Sequence, residues 1–275
     1  MTVPLLLVDG HNLLWRAEYG FPARVTSRDG TDRTAVFAFF ALLRAATRNL
    51  PGPAEVVVAF DGEHGAAHRQ TGDTGYKANR AGIDLAPILA LPAVKAGLDV
   101  HQISWVELDA EEADDVIASV AHQHPDRAAL VMSTDRDYLQ LVDHRVRVVN
   151  TARRKDSQLI GPADVVDRYR IHPHQWCDFR ALTGDPADNI AGVAGVGDRT
   201  AARLLDGGLT LDQLPGSGRI IGAKGAAIQA CWDQVLAWRD LIRVNPTVPL
   251  PLTPTATATP SLPAAARVLE RLGLW

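Results

Sequence analysis

Three apolar runs in this chain each end on an acid. VPLLLV at 3–8 stops at Asp9, and EVVVAF at 55–60 stops at Asp61. AALVMS at 128–133 passes through Thr134 to Asp135, with Asp137 two residues on. Continuous apolar runs of this length are typical of parallel strands covered on both faces. Helical spacing of apolar residues fills the intervals. Thr34 to Thr47 is one such segment, with Phe37 and Phe40 expected to face the core, and 83–97 is another. The chain is therefore expected to be α/β, with a central, mostly parallel sheet and helices on both faces. Open sheets of this kind bind ligands beyond the carboxyl ends of their strands. Asp9, Asp61 and Asp135 fall at those ends.

Two more acid groups follow a different pattern. In EEADDVIASVAHQH, Glu112 and Asp115 lie three apart on one side of a helix, with Asp114 adjacent. A helix dipole favours one or two acids at its start, but three this close repel one another unless cations compensate. In ALTGDPADNIAGVAGVGDRTAARLL, 181–205, Asp185 and Asp188 sit in a tight turn. Gly192, Gly195 and Gly197 follow, before a helix expected near Asp198 or Arg199. Repeated glycines ahead of a helix allow backbone N–H groups to approach a phosphate. Asp9, Asp61, Glu112, Asp114, Asp115, Asp135, Asp137, Asp185 and Asp188 thus form five groups with no sulfur ligand among them. Hard oxygen donors select Mg²⁺ or Mn²⁺, and nine acids fit two or more ions. Paired hard cations are the usual device for cleaving a phosphodiester. No Ser-His-Asp or Cys-His arrangement competes with that chemistry.

The basic candidates cluster in GYKANR, 75–80. Lys77 and Arg80 lie three apart, so a short helix would put them on one side. With Tyr76 they would form a phosphate grip and a ring for a base to stack on. Arg16, Arg33, Arg199 and Thr200 are further candidates for DNA contact. His64 and His68 are expected at the surface, not as ligands. The net charge of −4 looks wrong for a nucleic-acid binder. Setting aside nine of the 32 acidic residues leaves 23 against 28 Lys and Arg, which permits phosphate contacts. Only two cysteines occur, without a CxxC pattern, so a reducing, cytoplasmic setting is expected. No run is long enough for a membrane span, and the start lacks a signal-peptide pattern. Residues 245–263 are rich in Pro and Thr and read as an extended tail. A short terminal helix follows, with Trp275 docking on the body.

Taken together, LLLVDGHNLLWRA, VVVAFDG, GYKANR, EEADDVIA, MSTDRDYLQLV and LTGDPADNIAGVAGVGDRTAARLL resemble the bacterial and phage 5′-nucleases and flap endonucleases, including the 5′-nuclease domain of bacterial DNA polymerases. The motifs occur in that family's order and cover about residues 3–205. The resemblance implies a PIN-like nuclease core at 1–180, with a helical arch around 62–96. It implies a helix–two-turn–helix DNA-binding region at 181–244, often holding K⁺ on turn carbonyls, and a tail at 245–275 packed on the body. The nine acids fall on the family's metal positions, with Asp9, Asp61, Glu112, Asp135 and Asp185 as catalytic. Lys77 and Arg80 fall on its basic pair beside the scissile phosphate, and Tyr76 on the neighbouring aromatic. The expected activity is 5′→3′ exonuclease and 5′-flap endonuclease action in replication and repair, by a monomer associated with the nucleoid. DNA with 5′ flaps, nicks or 5′ ends is the expected partner, and tolerance of an RNA strand stays open. Two departures stand out. Thr134 occupies the place where the family commonly has Gly before the first Asp of its TGDxD motif, and Asp198-Arg199 replaces the usual Glu-Lys. The chain also ends near 275 without a polymerase portion, which reads as a standalone nuclease. A PIN-type ribonuclease is an alternative, but such domains lack GVAGVG and GYKANR. A non-catalytic junction binder is another, disfavoured by the complete set of acids.

Overall fold

The structure, a computed structural model, describes residues 2–80, 85–154 and 157–275. In chain order it begins with β1 (Leu5–Asp9), α1 (Gly10–Gly20), α2 (Thr34–Arg48), β2 (Glu55–Asp61), α3 (Ala67–Gly72) and α4 (Ala86–Val100). It continues with β3 (Ser104–Leu108), α5 (Ala113–Gln123), β4 (Ala129–Met132), β5 (Val146–Val149), β6 (Leu159–Ile160) and α6 (Pro162–Tyr169). The C-terminal helices are α7 (Trp176–Thr183), α8 (Asp198–Leu204), α9 (Gly222–Ala230), α10 (Trp232–Ile242) and α11 (Ala265–Arg271).

The six strands form one sheet in the order β3-β2-β1-β4-β5-β6, parallel except for the β5–β6 pair. From β1 the chain winds outward to β2 and β3, then returns to place β4 on the other side of β1. The β1/β4 boundary is therefore the topological switch point, where neighbouring connections diverge and leave a crevice. All of β1 is buried, as its unbroken apolar run requires. Its side chains alternate between two cores. Leu5 and Leu7 join Val116, Trp176, Phe179 and helices α8 to α10 on one face. Leu6 and Val8 join Phe39, Phe40, Val94 and Val268 on the other. The expected α/β architecture with helices on both faces is the one observed.

Local differences have local causes. Phe39 and Phe40 are fully buried in α2, whereas Phe37 is half-buried against Phe21 and Trp275. β3 starts at Ser104 because Val100 still belongs to α4 and Gln102, with φ of 52°, turns the chain. β5 is an interior strand, because β4 and β6 pair on its two sides. Pro92 lies inside α4 without ending it. Among the described residues, no helix is long and apolar enough to cross a membrane.

The Pro/Thr-rich tail crosses the body as an extended chain with no assigned strand. It is held at the base of β2. Buried Glu55 pairs with buried Arg127 at 2.7 Å and accepts the N–H groups of Thr255 and Ala256 at 2.6 and 2.9 Å. Thr259 adds bonds to Ala54 and Val56. Removing one partner of a buried ion pair strands the other charge away from water. Glu55→Ala is therefore expected to cost about 3–5 kcal/mol of unfolding free energy, read by urea denaturation. A loss below about 1 kcal/mol would show that the tail is held by its apolar contacts instead.

Candidate functional site

The carboxyl ends of β1, β2 and β4 deliver Asp9, Asp61 and Asp135 to the switch-point crevice. Asp9 ends β1 and caps α1: its Oδ1 accepts the Asn12 N–H at 2.9 Å, and its Oδ2 accepts from Ser133 Oγ at 2.9 Å. Asp61 ends β2 and accepts the N–H of Ala113 at 2.8 Å, which ties the strand to the start of α5. Its own N–H donates to His11 Nδ1 at 2.9 Å. That bond leaves the neutral imidazole proton on Nε2. Asp135 lies on the open side of the crevice, and its Oδ1 accepts the Asp137 N–H at 2.9 Å. Thr134, the departure from the family pattern, is put to use here. Its N–H and hydroxyl both reach Asn12 Oδ1, and Asn12 Nδ2 donates back to the hydroxyl at 2.8 Å. The extra side chain thus joins the two strand ends that meet at the switch point.

The second half of the site is a seam between two loops. Lys77 N–H donates to the Asp188 carbonyl at 3.0 Å. Asn189 Nδ2 donates to the Gly75 carbonyl at 2.7 Å, and Asn79 Nδ2 to the Pro186 carbonyl at 2.9 Å. Lys77 and Asn189 both take the left-handed conformation, with φ of 55° and 60°. GYKANR is thereby fastened along GDPADN, and Lys77 is delivered beside Asp188. Lys77 precedes a short 3-10 turn, Ala78–Arg80, instead of lying within a helix. The Arg80 side chain lies outside the described residues.

Asp9, Asp61, Asp114, Asp135 and Asp188 line one cavity of about 660 Å³ with Lys77, His11, Asn12, Trp15, Tyr138, Leu85 and Ile88. Asp137 and Asp185 are buried and do not line it, with Asp137 close enough to Asp135, Asp185 and Asp188 to feel their charge. Asp137 accepts the indole N–H of Trp176 at 3.0 Å. Asp185 pairs with the buried guanidinium of Arg180 and accepts the Ala187 N–H at 2.9 Å. Glu112 is buried and pairs with both Lys77 and Arg69. Asp115 does not face the cavity. Both its oxygens meet Arg69 at 2.8 Å, and it lines a different groove. Among the described residues, no three acidic, His or Cys side chains close on a single point as they stand. Their nearest cations are Lys77, Arg69 and Arg180.

Crowding shows in the acids' proton affinities. Burial, then Asp61 and Asp135, push the Asp9 carboxyl up to about 7, against the opposing bonds from Asn12 and Ser133. Burial, then Asp135 and Asp185, push Asp137 up to about 8. Asp114 is raised by burial, with Glu112 and Asp115 adding to it and Lys77 and Arg69 opposing. Glu112 goes the other way. Burial works against its charge, but Lys77 and Arg69 outweigh it and hold the carboxyl below its usual range. Burial works against the Lys77 ammonium, yet Tyr76, Asp114, Glu112 and Asp188 hold its pKa well above normal. The cavity is thus a concentration of oxygen donors whose mutual repulsion exceeds what these side-chain cations offset. That donor set fits hard divalent cations.

Several sequence-stated roles change. Tyr76 is buried, 3% exposed, and its hydroxyl donates to Glu112 at 3.1 Å. Its ring is not open to a stacking base, because its hydroxyl seats Glu112 and the ring fills the space below Lys77. Gly192, with φ of 68°, is needed for packing: a Cβ there would strike the backbone of Thr183 and Gly184. Gly195 and Gly197 face open space, so they alone of the three leave room for a ligand. Arg199 is exposed at the start of α8, and Thr200 accepts from Lys224 Nζ at 2.8 Å. Arg16 donates to Thr151 at 2.6 Å. The Arg33 Nε is buried without a hydrogen-bond partner. Sequence reasoning assigned no role to Arg69 or Arg180, which are single arginines in polar or mixed segments. Asn12 and Trp15 had a usable signal, about one and two helical turns after Asp9.

Two family descriptions match in tandem. Residues 4–170 match the 5′-3′ exonuclease N-terminal resolvase-like domain, and residues 171–263 match the 5′-3′ exonuclease C-terminal SAM fold. The thermostable DNA polymerase I of Thermus aquaticus is 35% identical over 274 residues, covering 98% of this chain and 32% of its own length. DNA polymerase I of Mycobacterium tuberculosis is 34% identical over 256 residues, covering 91% of this chain and 28% of its own. This chain therefore spans about a third of the length of these relatives. Among solved structures, the T5 D15 protein co-crystallised with metal ions aligns with a TM-score of 0.66 at 20% identity, covering 89% of this chain and 90% of that one. The catalytic core of Rad2 in complex with DNA aligns with a TM-score of 0.63 at 13% identity, covering 100% and 89%. These likenesses place the fold among PIN-like cores with an appended helical domain. With both family descriptions matched end to end and the identity to the polymerase relatives sustained across the chain, this protein belongs to the 5′-3′ exonuclease family.

Proposed function

We propose that the chain is a divalent-metal-dependent, structure-specific 5′-nuclease that hydrolyses DNA phosphodiesters, trimming 5′ ends and cutting 5′ flaps in replication and repair. One observation carries this reading. Asp9, Asp61, Asp114, Asp135 and Asp188 arrive from five separate segments and face one cavity together with Lys77. Asp9, Asp61, Asp114, Asp135 and Asp188 would hold the ions, with Glu112, Asp137 and Asp185 bracing them. Hard divalent cations at that place would supply an activated water and neutralise charge on the phosphate. Lys77, fixed by the seam with Asp188, is placed to donate to a phosphate oxygen entering the cavity. Trp15, Leu85 and Ile88 give the same cavity an apolar wall. Metal ions in the T5 D15 structure and DNA in the Rad2 structure support the assignment.

The finer parts of the proposal follow from the family. Residues 1–180 form the nuclease core, which Asp185 and Asp188 join from the following segment, with an arch over 62–96 of which residues 81–84 lie outside the described residues. Residues 181–244 grip duplex DNA through the turns at Gly195 and Gly197, with K⁺ on the turn carbonyls, and 245–275 brace the body. Mg²⁺ or Mn²⁺ is the working ion. The protein acts as a monomer at the nucleoid, in the cytoplasm.

A labelled double-flap substrate tests the reading. Cleavage at the junction is expected in Mg²⁺ and none in EDTA; equal activity in both, or none with any metal, would sink it. Asp135→Ala and Asp185→Ala are each expected to abolish cleavage while flap binding, measured in Ca²⁺, persists. Lys77→Ala is expected to slow single-turnover cleavage about 10²–10³-fold with little change in duplex affinity. An unchanged rate would remove Lys77 from the chemistry.

The raised acids give a pH dependence. Asp9 and Asp137 hold protons more tightly in the folded state than in the unfolded chain. Without metal, the folded protein is then expected to lose stability as pH rises from the ordinary carboxylate range towards about 7 and 8. Divalent cations compete with those protons, so metal affinity is expected to rise over the same interval. Thermal unfolding from pH 5 to 9, in EDTA and in Mg²⁺, reads both. A Mg²⁺-induced rise in Tm that does not grow with pH would contradict the placement of cations beside Asp9 and Asp137.

A further inference from the structure

Arg69 lies in α3, eight residues before Lys77, and its side chain is buried at 10% exposure. All five of its N–H donors are engaged. Nε donates to the Leu241 carbonyl at 3.0 Å. One terminal nitrogen reaches the Glu112 carboxylate and Asp115 Oδ2, the latter at 2.8 Å. The other reaches Asp115 Oδ1 at 2.8 Å and the Arg243 carbonyl at 3.3 Å. Asp115 Oδ1 also accepts the Asn245 N–H at 2.7 Å. Three distant parts of the chain therefore meet on one guanidinium: the segment leading to Lys77, the acid-bearing turn, and the end of α10.

We propose that Arg69 is a positioning residue whose guanidinium clamps the acid-bearing turn to the C-terminal chain, and that Asp115 serves this clamp instead of the metal cavity. Successive residues on a helix point about a quarter-turn apart, so Asp114 and Asp115 diverge. Asp114 lines the cavity with Lys77, whereas Asp115 lines the groove with Arg69, Leu241 and Asn245. Only a planar five-donor fork can meet two carboxylates and two carbonyls together. Glu112 gains from the same arrangement. Arg69 and Tyr76 share its Oε2, which leaves Oε1 to Lys77. Arg69 thus sets where Glu112 stands without facing the cavity itself. The clamp stands on this geometry alone, while its effect on cation binding rests on the function proposed above.

Two measurements on the full chain separate the two. Thermal unfolding in EDTA reads the clamp directly. Arg69→Met and Asp115→Asn are each expected to lower Tm, and the double variant to fall no further than the worse single. Arg69→Lys, which keeps the charge and loses the fork, is expected to leave Tm low. Additive losses, or full recovery with lysine, would overturn the clamp. Mn²⁺ binding, followed by electron paramagnetic resonance without DNA, reads Asp115's role. Asp114→Asn is expected to weaken Mn²⁺ binding at least about tenfold more than Asp115→Asn does. Equal weakening would make Asp115 a ligand and overturn the assignment. Arg69→Met is also expected to lower kcat on a flap about tenfold or more with KM little changed; an unchanged kcat would leave Arg69 without a positioning role. If the unaltered protein binds no Mn²⁺ and cuts no flap, the function proposal fails, and the EDTA measurements still decide the clamp.

Discussion

Carboxylates placed side by side out of water must share protons, find cations or move apart. In this protein the sheet forbids the third option. β1 and β4 pair in register from Leu5–Ala129 to Val8–Met132, so the chain leaving each strand emerges at the same edge. Asp9 and the Ser133–Asp137 turn are joined there by the Ser133–Asp9 bond and the Asn12–Thr134 exchange. The strands are buried and cannot relax, since every apolar residue of β1 packs in one core or the other. The repulsion is therefore built into the backbone. Protons and cations are what remain to answer it, and the raised acids Asp9 and Asp137 are the visible consequence.

The surrounding side chains divide between those that answer the repulsion and those that fix its geometry. Lys77 sits on Glu112 within the site, and Arg180 sits on buried Asp185. Each cation comes from a segment that is anchored elsewhere. Lys77 is held in the left-handed conformation by the seam to Asp188 and Asn189. Arg180 belongs to α7, whose Trp176 and Phe179 lie in the core. Arg180 cannot leave its acid without disturbing the core around α7, whereas the Lys77 ammonium can turn on its own flexible stem. A substrate phosphate arriving beside Lys77 would give the ammonium an alternative partner and lessen its hold on Glu112. Binding would then loosen one of the carboxylates that brace the cavity.

Much of this was legible in the sequence because it depends on periodicity and on chemistry at strand ends. The strand-then-acid repeats located β1, β2 and β4 and placed Asp9, Asp61 and Asp135 together. The crowding at 112–115 was readable as a demand for cations. What was not legible depended on direction and depth. EADD on a helix says that Asp114 and Asp115 diverge, but not which of them turns from the cavity. That follows from the C-terminal chain arriving at Asn245, more than a hundred residues away. Tyr76 beside Lys77 reads in the sequence as a stacking ring, with no sign of a buried brace. The fold chooses the brace because Glu112 lies below it. The Phe37 orientation was missed for the same kind of reason: it is set by the arrival of Trp275.

Thr134 shows how a departure from a family pattern can be read physically. A glycine before the first acid of that turn would leave the Asn12 amide without its hydroxyl partner. Here the threonine supplies it, and the amide and hydroxyl bond reciprocally across the switch point. A β-branched residue also narrows the conformations open to the turn that carries Asp135. The side chain costs no space in the crevice, because it points along the strand ends and not into the cavity, whose lining includes Asn12 and Asp135 but not Thr134. The acids can therefore keep their places while the residue between them changes, provided the newcomer bonds to α1. The tolerance of such sites is set by whether a substitution strengthens or breaks the tie between the two strands that hold the charges together.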